Sequence, residues 1–178
     1  MTPTATPESF GRASARLTIG SIDDSRLTVT AQFNPRELAV STPHQWTAPT
    51  SIGKHSDDAT THEYKGQGPE TMSLELLFDA VESPNYCIDD RSIVGLVGDL
   101  QLMAAVRTPG SPDEDLGRPH HCVVLFGSGV MAFPKFECVI DQIDVKYQMF
   151  SRDGQVTRAT ITLKLRQVRR RGAREWFR

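Results

Sequence analysis

FECVIDQIDVKYQMFSRDGQVTRATITLKLRQV, residues 136–168, decides the fold. Two long alternating runs flank Asp153-Gly154, a pair that favours a tight hairpin because both residues tolerate left-handed backbone. In the second run Ala159, Ile161, Leu163 and Leu165 fall on one face, and Arg158, Thr160, Thr162, Lys164 and Arg166 on the other. That is a strand with a dry side and a wet side. In the first run Ile143, Val145, Tyr147 and Met149 form the matching apolar stripe.

The stripes select a register. A two-residue loop at Asp153-Gly154 would pair Val145 with Thr162 and set apolar side chains among charged ones. A three-residue loop, Arg152-Asp153-Gly154, pairs Ser151 with Gln155, Val145 with Ile161 and Ile143 with Leu163, keeping like with like. Gly154 then closes a type I turn from the left-handed region. Further back the apolar phase changes, from even at Phe136, Cys138 and Ile140 to odd from Ile143 onward. A bulge near Asp141-Gln142 absorbs the shift. This bent hairpin is read as a wall of a closed or shared β-barrel.

Working outward, Ala15, Leu17 and Ile19 alternate with polar residues and read as a strand, as do Leu27, Val29, Ala31 and Phe33. Asn34-Pro35 ends the second, since proline has no ladder donor and restricts its predecessor. Glu37–Ser41 reads as a further short strand or a helical turn. Residues 42–69 read as a long polar loop, a type of segment that is usually functional. Met72, Leu74, Leu76 and Phe78 mark another strand, followed by a connection over 79–90. From Arg91 to Val106 the period switches to helical, through Ile93, Leu96, Val97, Leu100 and Met103, with Asp89 or Asp90 placed to cap the start. A second polar loop spans 107–121, and Cys122–Phe126 is a short apolar strand before the Gly127-Ser128-Gly129 turn. The expected fold class is mainly β, a sandwich or barrel of about six strands with one α-helix.

The 178 residues suffice for one domain with a real core. The organisation expected is a flexible segment over 1–14, a β domain over 15–168 and a basic tail over 169–178. No apolar run approaches the ~18 residues of a membrane span, and the N-terminus carries no apolar secretory segment. Cys87, Cys122 and Cys138 are too few and too scattered for a disulfide frame and fit reduced thiols of a cytoplasmic protein. Charge is uneven. Residues 164–178 carry a net +6, leaving −8 for the remainder of a chain whose total is −2. An acidic body with a basic tail points to intermolecular contact.

Chemistry-bearing patterns are sparse. His120-His121-Cys122 lies in strand-like sequence, where neighbouring side chains point to opposite faces, and no zinc spacing is present. Asp89-Asp90 reads as a helix-start feature. His44, His55 and His62 sit in a loop with no nucleophile motif and no phosphate-binding loop. The chain is therefore read as non-enzymatic, with no catalytic residues, metal or cofactor. Arg169, Arg170, Arg171 and Arg174 beside Trp176 and Phe177 admit nucleic-acid binding. The acidic body would repel a polyanion, so nucleic acid is disfavoured. The preferred reading is a peptide that docks on a neighbouring subunit, with Trp176 and Phe177 as anchors.

Three segments together resemble a known family. They are Phe33-Asn34-Pro35-Arg36-Glu37-Leu38 with Trp46 after it, then Gly68-Pro69 before Leu74-Glu75-Leu76-Leu77-Phe78-Asp79, then Asp153-Gly154 before Arg158-Ala159. Their order and spacing resemble the tube proteins of contractile injection systems, phage-tail-like particles related to the antifeeding prophage, over residues 15–168. Phe126-Gly127 stands where the family has Trp-Gly. The resemblance implies a hexameric ring at the baseplate, joining the spike and hub to the inner tube within a particle assembled in the cytoplasm and open to release. The stackable inner-tube protein is the alternative, and a small β-barrel nucleic-acid binder the alternative from another class. Many members carry a C-terminal LysM module; none is seen here, so wall binding is not expected.

Overall fold

The computed structural model describes residues 16–47, 63–81, 92–127 and 132–168. Nine strands and one helix follow in chain order. They are β1 Thr18–Ser21, β2 Thr28–Thr30, β3 Leu38–Ser41, β4 His44–Thr47, β5 Glu63–Gln67, β6 Thr71–Asp79, α1 Ile93–Ala104, β7 Cys122–Phe126, β8 Phe133–Phe150 and β9 Val156–Gln167. Seven strands form one antiparallel sheet in the order β2-β1-β7-β8-β9-β6-β3, and β4 and β5 form a separate ribbon.

The β8–β9 hairpin has the expected register. Val145 pairs with Ile161 and Ile143 with Leu163. The loop is Arg152-Asp153-Gly154: the Ser151 N–H reaches the Gln155 carbonyl at 2.8 Å, the Gly154 N–H reaches the Ser151 carbonyl at 3.0 Å, and Gly154 has φ +76°. The bulge falls between Ile140 and Gln142 with Asp141 as the extra residue, and it carries the apolar face through the change of phase.

One core fills the concave side of the sheet. Leu17, Ile19 and Val29 come from its β1–β2 end, Leu74, Leu76 and Phe78 from β6, and Ile161, Leu163 and Leu165 from β9. Helix α1 lays Ile93, Val97, Leu100 and Met103 onto this surface, packing on β8, β9 and β2. The three-four spacing puts those four on one stripe. Each such side chain removed from water stabilises the fold by about 1.5–3 kcal/mol.

The sheet curls strongly. β2 and β3 stand at opposite ends of the strand order, yet only residues 31–37 join them. Six strand spacings of about 4.8 Å would hold the two ends of a flat sheet about 29 Å apart. Eight extended steps reach only about 26–29 Å, which leaves no slack for a turn. Two residues past β2, Gln32 already touches β6.

Several expectations are corrected. The barrel is not closed: no ladder joins β2 to β3 or β6 among the described residues. The strands among the described residues number nine rather than about six, because β3, β4 and β5 have five residues or fewer, too short for a period to show. The 42–69 loop contains the β4–β5 ribbon, held in part by the Trp46 ring 5.1 Å from that of Tyr64. The second strand ends at Thr30 rather than Phe33. The helix is capped by Ser92, whose hydroxyl accepts the Gly95 N–H at 3.1 Å; Asp89 and Asp90 lie outside the described residues. The apolar stripe of β8 runs out of the core, leaving Tyr147 and Met149 exposed, because no element among the described residues covers the hairpin's end. Cys122 and Cys138 are buried free thiols paired across β7–β8, and burial pushes Cys122 up to about 12. Cys87 and the segments 1–14 and 169–178 lie outside the described residues. Among those described, no helix is long and apolar enough to cross a membrane.

Candidate assembly interface

The site begins with Pro35. Strand β3 pairs with β6 only from Leu38 opposite Leu74 to Ser41 opposite Thr71. Extending that register would bring Pro35 opposite Leu77. Proline has no N–H to give the ladder and holds Asn34 away from helical backbone, so the chain bends out instead. Asn34 turns back to the far end of the sheet, its Oδ1 accepting the Leu17 N–H at 3.3 Å.

Gln32 bridges the seam this leaves. Its Oε1 accepts the Asp79 N–H at 2.7 Å, and its Nε2 donates to the Asp79 carbonyl at 2.8 Å. One side-chain amide thus stands in for a ladder residue. The Asp79 carboxylate is buried and receives Nε of Arg158 at 2.8 Å, the Arg158 Nη2, and the Val81 N–H at 2.9 Å. A buried carboxylate is tolerated only when its lone pairs are filled in this way.

Between Gln32 and the start of β3 the edge of β6 is open. In an antiparallel strand a residue's N–H and C=O point to the same side. Asp79 turns both toward Gln32, whereas the Ala80 N–H faces β9, bonding the Thr157 carbonyl. Glu75 and Leu77 therefore face away from β9; Glu75 flanks the last β3 pair, Leu38 opposite Leu74, and Leu77 lies beyond it. A cleft of about 920 Å³ lies beside them, walled by residues 33–37 and floored by the polar face of β9 at Arg158, Thr160 and Thr162.

Most of the sequence-predicted residues converge here. Phe33, Asn34, Pro35 and Glu37 line the cleft with Leu74 and Arg158, and Asp79 anchors Arg158. Leu38 pairs with Leu74, while Leu76, Phe78 and Ala159 lie in the core beneath. Two sites stand apart. Asp153-Gly154 forms the hairpin tip, and Trp46, 60 % exposed, sits on the β4–β5 ribbon. Arg169, Arg170, Arg171, Arg174, Trp176 and Phe177 fall outside the described residues. Gln32 was not singled out from sequence, where it reads as one polar residue in an alternating strand; Glu75 and Leu77 stood there only as members of the 74–79 stretch.

A second polar cluster ties the 105–121 loop to the turn after β1. Asp23 receives both Nη atoms of Arg118, at 2.8 and 3.2 Å, and the His121 N–H at 2.8 Å. Burial alone would raise its carboxyl; Arg118, His121 and Arg107 outweigh that and hold it below the usual carboxylate range. His120 Nδ1 lies 2.8 Å from Ser21 Oγ, and burial with nearby Arg107 lowers the imidazole below its ordinary value. The spacing is that of a serine–histidine dyad, but Ser21 is fully buried and its Oγ accepts the N–H groups of Asp23 and Asp24. It caps a turn. Among the described residues no three His, Cys, Asp or Glu gather as a metal site.

A model of the contractile injection system tube protein family matches residues 15–175. Among solved structures, the chain is similar to one from the tail of an empty GTA particle with C6 symmetry, at 12 % identity and a TM-score of 0.39, covering 90 % of this chain and 96 % of that one. No curated protein matches.

Proposed function

We propose, from the chain's membership of the contractile injection system tube protein family, that it is a structural part of a phage-tail-like particle and forms a hexameric ring joining the spike and hub of the baseplate to the inner tube. The observation that carries the reading is the open sheet. β2 and β3 end the strand order, and no further ladder lies beyond either among the described residues. Natural sheets cover or blunt such edges, and joining copies around a ring removes them. A cyclic ring sets two different surfaces of the chain against each other, so unlike edges are what it needs.

The exposed apolar side chains suit the same role. Tyr147, Met149 and Phe150 crowd the end of the β8–β9 hairpin, and Trp46 and Tyr64 stack on the ribbon. A two-stranded ribbon is marginal alone, so an outer face of aromatics is a contact waiting for a neighbouring subunit or ring. Asp153-Gly154 and Trp46 act in ring contacts on this reading, whereas the motif residues of the cleft shape the seam.

The protein does this as a passive fitting, with no bond made or broken. Mass measurement of the purified protein, alone and with spike or hub protein, tests the proposal. Rings that close only with hub protein support the adaptor. Helical stacking of the protein by itself would assign it to the inner tube instead.

A further inference from the structure

We infer that the cleft beside β6 is the docking site for residues 169–178, the basic C-terminal segment, which adds to the open strand edge as a short extra strand. This stands independently of the ring: a monomer can hold its own tail there.

The receptor is built for a peptide backbone. Leu77 presents its N–H and C=O to the cleft, beyond the last pair of the β3–β6 ladder, Leu38 opposite Leu74. Strand addition uses such groups for affinity and the alternating side chains for selection. The chain cannot fill this place with its own β3, because Pro35 falls opposite Leu77 in the β3 register. Phe33 and Leu77 meet the cleft with more than a third of their surface exposed, apolar positions that an aromatic side chain would cover.

Charge selects the occupant. Arg158 is held by buried Asp79, so Glu37 and Glu75 outnumber the remaining cation of the cleft, Arg36. Residues 169–178 carry five arginines against one glutamate. In extended form Arg174, Trp176 and Arg178 share one face, which matches an apolar spot flanked by carboxylates. Trp and Arg are the side chains that most often carry peptide and protein binding.

Length allows it. The described chain ends at Val168, whose N–H bonds the Glu137 carbonyl at 3.1 Å. From there the floor of the cleft at Thr160 lies about 26 Å back along β9. Ten extended residues reach about 33 Å, enough for the tail to enter its own cleft or a neighbour's.

The test uses the full chain with Trp46→Phe, which leaves Trp176 as the sole tryptophan. The expected result is blue-shifted emission and slower acrylamide quenching than in a synthetic peptide of residues 169–178. Both differences should be lost in Leu77→Lys and in Glu75→Lys, two exposed positions whose folding is checked by far-UV circular dichroism. Protection that is independent of concentration places the tail in its own chain's cleft, and protection that builds with concentration places it in a neighbour's; either supports docking. Quenching as fast as in the free peptide overturns the inference. So does protection that survives both lysine variants, or that appears only when DNA is added.

Discussion

Replacing Gln32 with leucine tests how the curled sheet is held. The Gln32 side chain satisfies both the N–H and the C=O of Asp79 across the seam. Each hydrogen bond is worth about 0.5–1.5 kcal/mol net, and a buried partner left unsatisfied costs about 1–3 kcal/mol. Asp79 is 1 % exposed, so neither backbone group has ready access to water in the folded chain. Leucine keeps the bulk, giving an expected loss of about 2–4 kcal/mol. For a domain of this size that lowers the melting temperature by roughly 4–16 °C. Gln32→Glu should cost nearly as much, because a carboxylate accepts from the N–H but offers nothing to the C=O and sits near the Asp79 carboxylate. Urea unfolding of the three proteins, followed by circular dichroism, provides the assay. A loss under about 0.5 kcal/mol, the range of an ordinary surface change, would refute the seam as a structural clasp.

Three further outcomes follow from local geometry. Ser92→Ala removes the hydroxyl that caps α1 and should cost about 1 kcal/mol in urea unfolding. Gly154→Val should cost roughly 1–2 kcal/mol from backbone strain alone, since φ is +76° and the space beside its Cα is open. The third outcome concerns pH. The His120 imidazole titrates below its unfolded value of 6.5, so as pH falls under 6.5 the unfolded chain takes up a proton that the folded chain resists. Stability therefore drops on mild acidification, with Arg107 and Arg118 opposing the new charge and Asp23 and Asp24 favouring it. His120→Asn should flatten the urea midpoint across that window. A further fall belongs to Asp23, whose stabilisation is present above 3.8 and is lost as pH drops through its lower folded value.

What could be read from sequence was whatever repeats locally. Ile143, Val145, Ile161 and Leu163 alternate over enough residues to settle the β8–β9 register, and the phase change at Asp141 located its bulge. The helix stripe from Ile93 to Met103 was equally plain. Short elements were not: His44–Thr47 and Glu63–Gln67 have too few residues for a period to show. The motif residues near Phe33, Asp79 and Arg158 could be named but not placed together, because the contacts that gather them join residues 47 and 79 positions apart. Gln32 carried no local signal. Its partner is a backbone, and any residue type can supply one. The Ser21–His120 contact, 99 positions apart, was hidden for the same reason.

Electron microscopy of the purified protein, alone and mixed with spike or hub protein, tests the assembly claim most directly. The account predicts closed six-fold rings that form when the hub protein is present, with the two unlike sheet edges meeting between copies. A particle that stays a single copy at high concentration with those partners present would contradict it.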